Sequence, residues 1–352
     1  MFVAGLLVVA MTAASGASTK SGATRQPVVA PITGFGGYLL NVKVGRISAQ
    51  WVVPRIAATS PPGIAATWVG AQNIEDSDFI QLGILEIANG RGHASYEAFW
   101  SDTQKQFAPQ SLERLSAGDK ISVSMVRDAK GWLLNFDDRR NASSVTKQIN
   151  YDAAGRFTQG DWLQEDPSPS RLASKDVSYP DLADVTFQKM MVNGHRPKLV
   201  QADGVTLSAT GGALEVPTPV KDDAFTFVRP KGAADQYLID AAVIDAATAK
   251  LNVQVAQWST ASTTTKTRDV KAIESVFTFE AGQFRSQTWP GAAQSGVHDL
   301  IQFIVLDISN FKGWSAAGFK LSGPAFEKLQ NTVQEESGAV DKLRASLGLP
   351  PP

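Results

Sequence analysis

Phe79-Ile80-Gln81-Leu82-Gly83-Ile84-Leu85-Glu86-Ile87 reads as a β-strand. Its side chains alternate, so Ile80, Leu82 and Ile84 share one face while Phe79, Gln81 and Gly83 share the other. One face is fully apolar. The other places a single carboxamide beside a glycine, which leaves room for something to approach.

The same alternation extends in both directions. Strand-like segments are read at Tyr38–Val44, Ile47–Val53, Ala66–Ala71, Ala94–Trp100, Lys120–Arg127, Trp132–Asp137, Ser144–Asn150, Asp161–Glu165 and Val185–Val192. Gly-Gly, Asn-Gly, Pro-Pro and Ser-Pro-Ser breaks separate several of them. With almost no helical periodicity between them, they predict an all-β antiparallel sandwich of the concanavalin-like or jelly-roll kind. Five of the eight tryptophans fall between Trp51 and Trp162, where large aromatics on alternate strand positions fill a core or cover a sheet face.

Composition bounds what such a chain can do. At 352 residues with 43% hydrophobic and 19% charged residues, it can bury a sizeable core and has room for a second domain. A formal net charge of −1 gives no electrostatic footprint for nucleic acid or an anionic membrane. Cysteine is absent, which removes disulfides, thiolate nucleophiles and cysteine metal sites but leaves secretion open. The apolar run Phe2–Met11, followed by Ser15-Gly16-Ala17, reads as a cleaved signal peptide over residues 1–17 and a secreted protein. The run is too short to span a bilayer, and no basic residue precedes Lys20. Residues 18–33 then form a flexible leader or short propeptide.

Beyond the sandwich, assigned to residues 34–228, the chain turns Gly-, Pro- and Asp-rich around Gly211–Pro230. Further strands are read at Gln236–Val243, Leu251–Trp258, Ala272–Phe279 and Leu300–Ile308, with a Thr/Ser-rich loop over Thr260–Thr267. This predicts a β-rich domain over residues 229–320. From Ser322-Gly323-Pro324 the pattern changes: Phe326, Leu329, Val333, Val340, Leu343 and Leu347 recur at helical spacing and Gly348 closes the run. Residues 321–352 are therefore expected to form an amphipathic helix and tail.

The chemistry centres on Gln81 and Glu165, 84 positions apart. In Trp162-Leu163-Gln164-Glu165-Asp166-Pro167, Leu163 and Glu165 share a face. Two strands of one curved sheet could bring the amide and the carboxylate together. An ionised Glu165 would take a proton from an attacking water and return it to the leaving amine. The Gln81 carboxamide would orient that water and donate N–H to the developing oxyanion. A neutral partner does not raise the carboxylate pKa by like-charge repulsion, so Glu165 is expected to remain ionised at fairly low pH. Rival chemistries find less support. His93, His195 and His298 are scattered without zinc spacing, and there is no Gly-x-Ser-x-Gly elbow, phosphate loop or Asp-Thr/Ser-Gly pair. No cofactor or metal is expected. Asn141-Ala142-Ser143 fits a glycosylation sequon.

An ordered set of short motifs resembles the glutamic peptidase (eqolisin) family over roughly residues 34–228. It runs Gly37-Tyr38, Trp51-Val52-Val53-Pro54, Trp68-Val69-Gly70, Ile80-Gln81-Leu82-Gly83, Gly118-Asp119-Lys120-Ile121 and Asp161-Trp162-Leu163-Gln164-Glu165-Asp166-Pro167. Leu182-Ala183-Asp184-Val185-Thr186-Phe187 and Val192-Asn193-Gly194 look like its closing strands. The resemblance implies a two-sheet sandwich with endopeptidase activity on proteins at acidic pH outside the cell. It implies Gln81 and Glu165 as the catalytic pair, Trp68 as a groove-lining residue and Tyr96 as a substrate contact. Protein or peptide substrates are the expected partners, without nucleic acid or a membrane span.

The chain departs from the family in places. The usual Trp-Tyr-Glu-Trp-Tyr-Pro segment reads Tyr96-Glu97-Ala98-Phe99-Trp100-Ser101-Asp102, with Ser101 or Asp102 near the expected Glu. Gln72 stands where an Asp is often found, and residues 229–352 extend past the usual domain. The alternative reading is a non-catalytic sandwich that binds carbohydrate or protein. A third places the working surface in residues 229–352.

Overall fold

The computed structural model describes residues 34–73, 78–151, 156–167, 179–200, 203–209 and 212–350. The signal peptide and leader expected over residues 1–33 lie outside them. The chain divides into two compact units, the second comprising, among the described residues, chiefly those from Pro230 onward.

The first unit is the expected antiparallel sandwich. Its strands are β1 (Phe35–Asn41), β2 (Arg46–Val52), β3 (Gly63–Gln72), β4 (Phe79–Gly90), β5 (His93–Asp102), β6 (Gln110–Leu115), β7 (Lys120–Asp128) and β8 (Gly131–Asp138). They continue as β9 (Ser143–Asn150), β10 (Gln159–Glu165), β11 (Thr186–Val192), β12 (Gly204–Val205), β13 (Leu207–Ala209), β14 (Gly212–Pro217) and β15 (Phe225–Val228). One sheet has seven strands in the order β12, β1, β10, β3, β4, β5, β6; the other has eight, in the order β13, β14, β15, β11, β2, β7, β8, β9. All ten strands read from the sequence are present, and β6 and β12–β15 add to them.

Strand parity decides which residues make the core. Tyr38, Ile80, Leu82, Ile84 and Trp162 lie on one face of the seven-stranded sheet and are fully buried. That face meets the second sheet: the Trp162 indole N–H donates to the Ser48 carbonyl at 3.2 Å, and the Tyr38 ring meets Phe225 edge-on at 4.8 Å. Opposite them, Trp51 packs on Phe187, which stacks on Phe225. Burying each such side chain contributes about 1.5–3 kcal/mol. Residues at odd positions in β10 and even positions in β3 therefore point the other way, and these carry the site.

The second unit corrects the reading of residues 229–320. It is helical, not β-rich: α1 (Ala233–Ala256), α2 (Thr263–Ser286), α3 (Gly291–Ala316) and α4 (Pro324–Ser346), with α1 packed on α2, α2 on α3 and α3 on α4. Each of the four strands read there was a window of eight or nine residues with β-branched and aromatic or other apolar side chains. Over longer stretches the period is helical. In α3 a buried stripe runs Ala293, Val297, Leu300, Ile304, Asp307, Phe311 and Trp314 in alternating steps of four and three, with buried Ile301 and Asn310 flanking it. In α1 residues 239–244 are buried on every side, which erases the amphipathic signal. The Thr/Ser-rich stretch is a helix start: the Ser262 hydroxyl accepts the Thr265 N–H at 3.1 Å as an N-cap. The terminal helix is as expected, with Pro324 in its first turn and Gly348 in the left-handed region just past its end.

Candidate active site

Gln81 and Glu165 are two strands apart in the seven-stranded sheet, with β3 between them. Uninterrupted registers pair Glu165 with Ala66, Leu163 with Trp68 and Asp161 with Gly70 on one side of β3. On the other side Gly70 pairs with Gln81 and Trp68 with Gly83. Paired residues share a face, so Glu165, Trp68 and Gln81 all lie on the face turned away from the second sheet. The pair is set diagonally, offset by four residues along β3 with Trp68 midway. At ideal sheet spacings their Cα atoms stand roughly 16 Å apart.

Trp68 occupies the space between them. Its indole N–H donates to Glu165 Oε2 at 3.0 Å. Its six-membered ring lies over Gly70, where a Cβ would meet Cζ3 at 2.7 Å. At Gly83 a Cβ would sit 2.5 Å from the Trp68 Cβ and 2.2 Å from the Thr67 carbonyl oxygen. The glycine beside Gln81 is thus needed for the close approach of β3, and the room it leaves is taken by Trp68. With 2% of its surface exposed, Trp68 holds Glu165 more than it lines an open surface.

Glu165 differs from expectation in its charge. Burial pushes its carboxyl up to about 7, only partly offset by the Trp68 N–H, with Asp166 adding to the rise. Desolvation does here what like-charge repulsion does in a dicarboxylate dyad. The free protein therefore holds Glu165 protonated below neutrality. The same face carries a second acid that the sequence reading passed over: Asp161, fully buried in one row with Gly70 and Gln81 and held well above the usual carboxylate range by burial. Its signal was in plain sight, since Asp161, Leu163 and Glu165 alternate along β10.

Gln81 is 7% exposed, and its Nε2 donates to Ser101 Oγ at 2.7 Å. Ser101 pairs directly with Gln81 across β4 and β5. Asp102 does not face the pair; its carboxylate accepts the Lys105 N–H and caps a 3-10 turn over Thr103–Lys105. The structure thus gives Ser101 the place that the sequence divided between Ser101 and Asp102.

Tyr96 is a correction. It pairs with Glu86 on the opposite face, is 8% exposed, and its hydroxyl accepts the Ile56 N–H at 3.0 Å. A side chain so placed packs between the sheets and does not meet a substrate at Gln81. Its neighbour Glu86 accepts the Thr67 hydroxyl at 2.6 Å, and burial raises its carboxyl to about 8. Gln164, one residue before Glu165, also turns inward and donates to Thr67 Oγ1 at 3.3 Å.

Aromatic rings also lie on this face. Phe35 meets Trp68 edge-on at 6.1 Å, Trp68 meets Phe79 at 5.5 Å, and Phe79 meets Phe107 at 5.7 Å. Phe107 is 54% exposed and, like Gln106, has a positive φ, a conformation that costs a phenylalanine energy. An exposed ring held at such a cost is poorly explained by packing.

No curated relative matches. The crystal structure of scytalido-glutamic peptidase with a transition-state analogue inhibitor is similar at 16% identity and a TM-score of 0.46, covering 55% of this chain and 97% of that one. SCP-B, a member of the eqolisin family solved with the tripeptide Ala-Ile-His, is similar at 16% identity and a TM-score of 0.41, again over 55% and 97%. The model of the Peptidase A4 family matches residues 33–219, a span that takes in β1, both candidate catalytic strands and Trp68, and the chain belongs to that family of glutamic endopeptidases.

Proposed function

We propose that this chain cleaves internal peptide bonds with Glu165 as general base and acid and Gln81 as the oxyanion donor. The observation that carries the reading is the placement of both side chains on one sheet face, either side of an indole whose N–H holds Glu165. A peptide laid across this sheet face meets the carboxyl on one side and the carboxamide on the other. Ionised Glu165 takes a proton from a water attacking the scissile carbonyl. Gln81 donates N–H to the oxygen on which charge develops, and the proton returns to the leaving amine. The rings of Phe35, Phe79 and Phe107 give the substrate's apolar side chains a surface to pack on.

Action at acidic pH belongs to the same reading through the bound state. A carboxyl at about 7 in the free protein moves down once a peptide N–H donates to it. The pH dependence of kcat/KM reports the free enzyme and that of kcat the complex, so the acid limb of kcat is expected below that of kcat/KM. Export is supported by the apolar run Phe2–Met11 followed by small residues. Among the described residues no helix is long and apolar enough to cross a membrane.

The deciding experiment follows hydrolysis of a denatured protein between pH 2 and 8 by the wild type, Glu165→Gln and Gln81→Ala. Turnover should drop about 10²–10⁴-fold in the first variant and 10²–10³-fold in the second. Turnover that survives Glu165→Gln at the wild-type rate removes this mechanism.

A further inference from the structure

The carboxamide of Gln81 and the hydroxyl of Ser101 are both buried, and the bond between them leaves two groups unsatisfied. With Nε2 donating to Ser101 Oγ, Gln81 Oε1 is enclosed without a donor. The Ser101 hydroxyl hydrogen likewise finds no other acceptor among the described residues, and Ser101 is 0% exposed. Turning the carboxamide over by 180° repairs both defects with one contact. Ser101 O–H then donates to Oε1, and 2.7 Å is an ordinary length for an O–H···O bond. Oxygen and nitrogen occupy nearly the same volume, so the exchange costs no packing. Nε2 then takes the enclosed place of Oε1 with both its N–H groups unpaired, a cost that an oxyanion arriving there would remove. A hydroxyl can support this orientation because it donates as well as accepts, whereas an ionised carboxylate only accepts.

We propose that Ser101 is a positioning residue for Gln81: its hydroxyl donates to Oε1 and so presents Nε2 to the reacting carbonyl. This rests on the catalytic role given to Gln81 above. Ser101 touches neither substrate nor water in the reaction; it acts through the carboxamide alone. Its partner across the strand pair is set by register, which aligns Ser101 with Gln81 and turns Asp102 to the other face.

The test is a double-mutant cycle on the full chain, reading kcat and KM for one peptide substrate with Ser101→Ala, Ser101→Thr, Gln81→Ala and the double variant. Loss of one oriented hydrogen bond is expected to lower kcat about tenfold in Ser101→Ala with KM unchanged. Ser101→Thr keeps the hydroxyl and should recover most of that loss. In the Gln81→Ala background, Ser101→Ala should cost nothing further, an outcome that a merely structural role does not produce. Far-UV circular dichroism and the melting temperature of each variant establish that it is folded. If Gln81→Ala is impaired while folded Ser101→Ala turns over at the wild-type rate, the positioning role is wrong and the Glu/Gln reading stands. If losses from the two single variants simply multiply, Ser101 supports the strand and not the carboxamide. Wild-type turnover in Gln81→Ala sinks the parent reading itself.

Discussion

In the sandwich, the half-buried carboxyl of Glu165 receives an indole N–H; in the helical unit, four buried carboxyls are set in two pairs. Asp240, Glu280, Asp307 and Glu336 come one from each of the four helices and are between 0% and 3% exposed. Asp240 accepts from Gln236 and Gln287, at 3.0 and 2.6 Å, with Glu280 as its charged neighbour. Asp307 and Glu336 form the second pair, with Asp245, Tyr237 and the buried Arg344 close by. Burial raises all four, Asp240 and Asp307 to about 7. Both regions thus keep acids protonated in a folded interior, for different ends. In the sandwich one acid is held by an indole on the sheet face that it shares with Gln81. In the helices the acids sit in the stripe where apolar residues would otherwise pack, and each pair persists by holding a proton.

Neutral replacements should separate the two regions most sharply. Glu165→Gln is expected to abolish turnover by three orders of magnitude or so, leaving the melting temperature at pH 7 unchanged or higher, since a buried group that must neutralise has been replaced by a neutral one. The mirror experiment is Glu280→Gln with Glu336→Gln, which should leave kcat at its wild-type value while raising the stability of the helical unit at neutral pH. A change in kcat from the helical variants, with none from Glu165→Gln, would reverse the assignment of roles.

Next in size is the pH dependence of the helices themselves. The folded pKa values of these acids lie above their unfolded values near 4, so the helical unit is stabilised fully below about pH 4. That contribution is lost as pH rises through about 7, on the order of a few kcal/mol in all. Thermal melts followed at 222 nm should therefore move to lower temperature between pH 4 and 8. The Glu280→Gln, Glu336→Gln variant should flatten that slope. A melt that is flat across this range in the wild type shows the carboxyls already ionised and matched by cations.

The smallest effect tests the indole that holds Glu165. Trp68→Phe keeps an aromatic ring but removes the N–H that favours ionised Glu165. The acid limb of kcat/KM should shift to higher pH, with kcat reduced by about tenfold. An unmoved limb would place the titrating group elsewhere.

Much of the sandwich was legible because a strand has period two and each segment is short. Parity alone put Gln81 with Gly83 and Glu165 with Leu163, and the structure keeps both assignments. The same short window misled beyond residue 229. Ala272–Phe279 and Leu300–Ile308 contain enough Val, Ile, Phe and Thr to pass as strands, yet their buried residues follow steps of three and four across whole helices. Tyr96 shows a different limit: its own strand was recognised, but which face met the second sheet depended on the packing of Trp162 and Tyr38 from elsewhere in the chain.

The sequence by itself determined the alternation of the strands, the terminal helix with its Pro324 start and Gly348 stop, and the motifs that place Gln81, Trp68 and Glu165 in order. These follow from local sterics and periodicity, which act within a few residues. The tertiary structure decided that Ser101 and not Asp102 meets Gln81, that Trp68 fills the space beside Gly83, and that Glu165 titrates near 7. Register and desolvation are properties of neighbours brought together from distant parts of the chain, and both change the chemistry of a residue without changing its name.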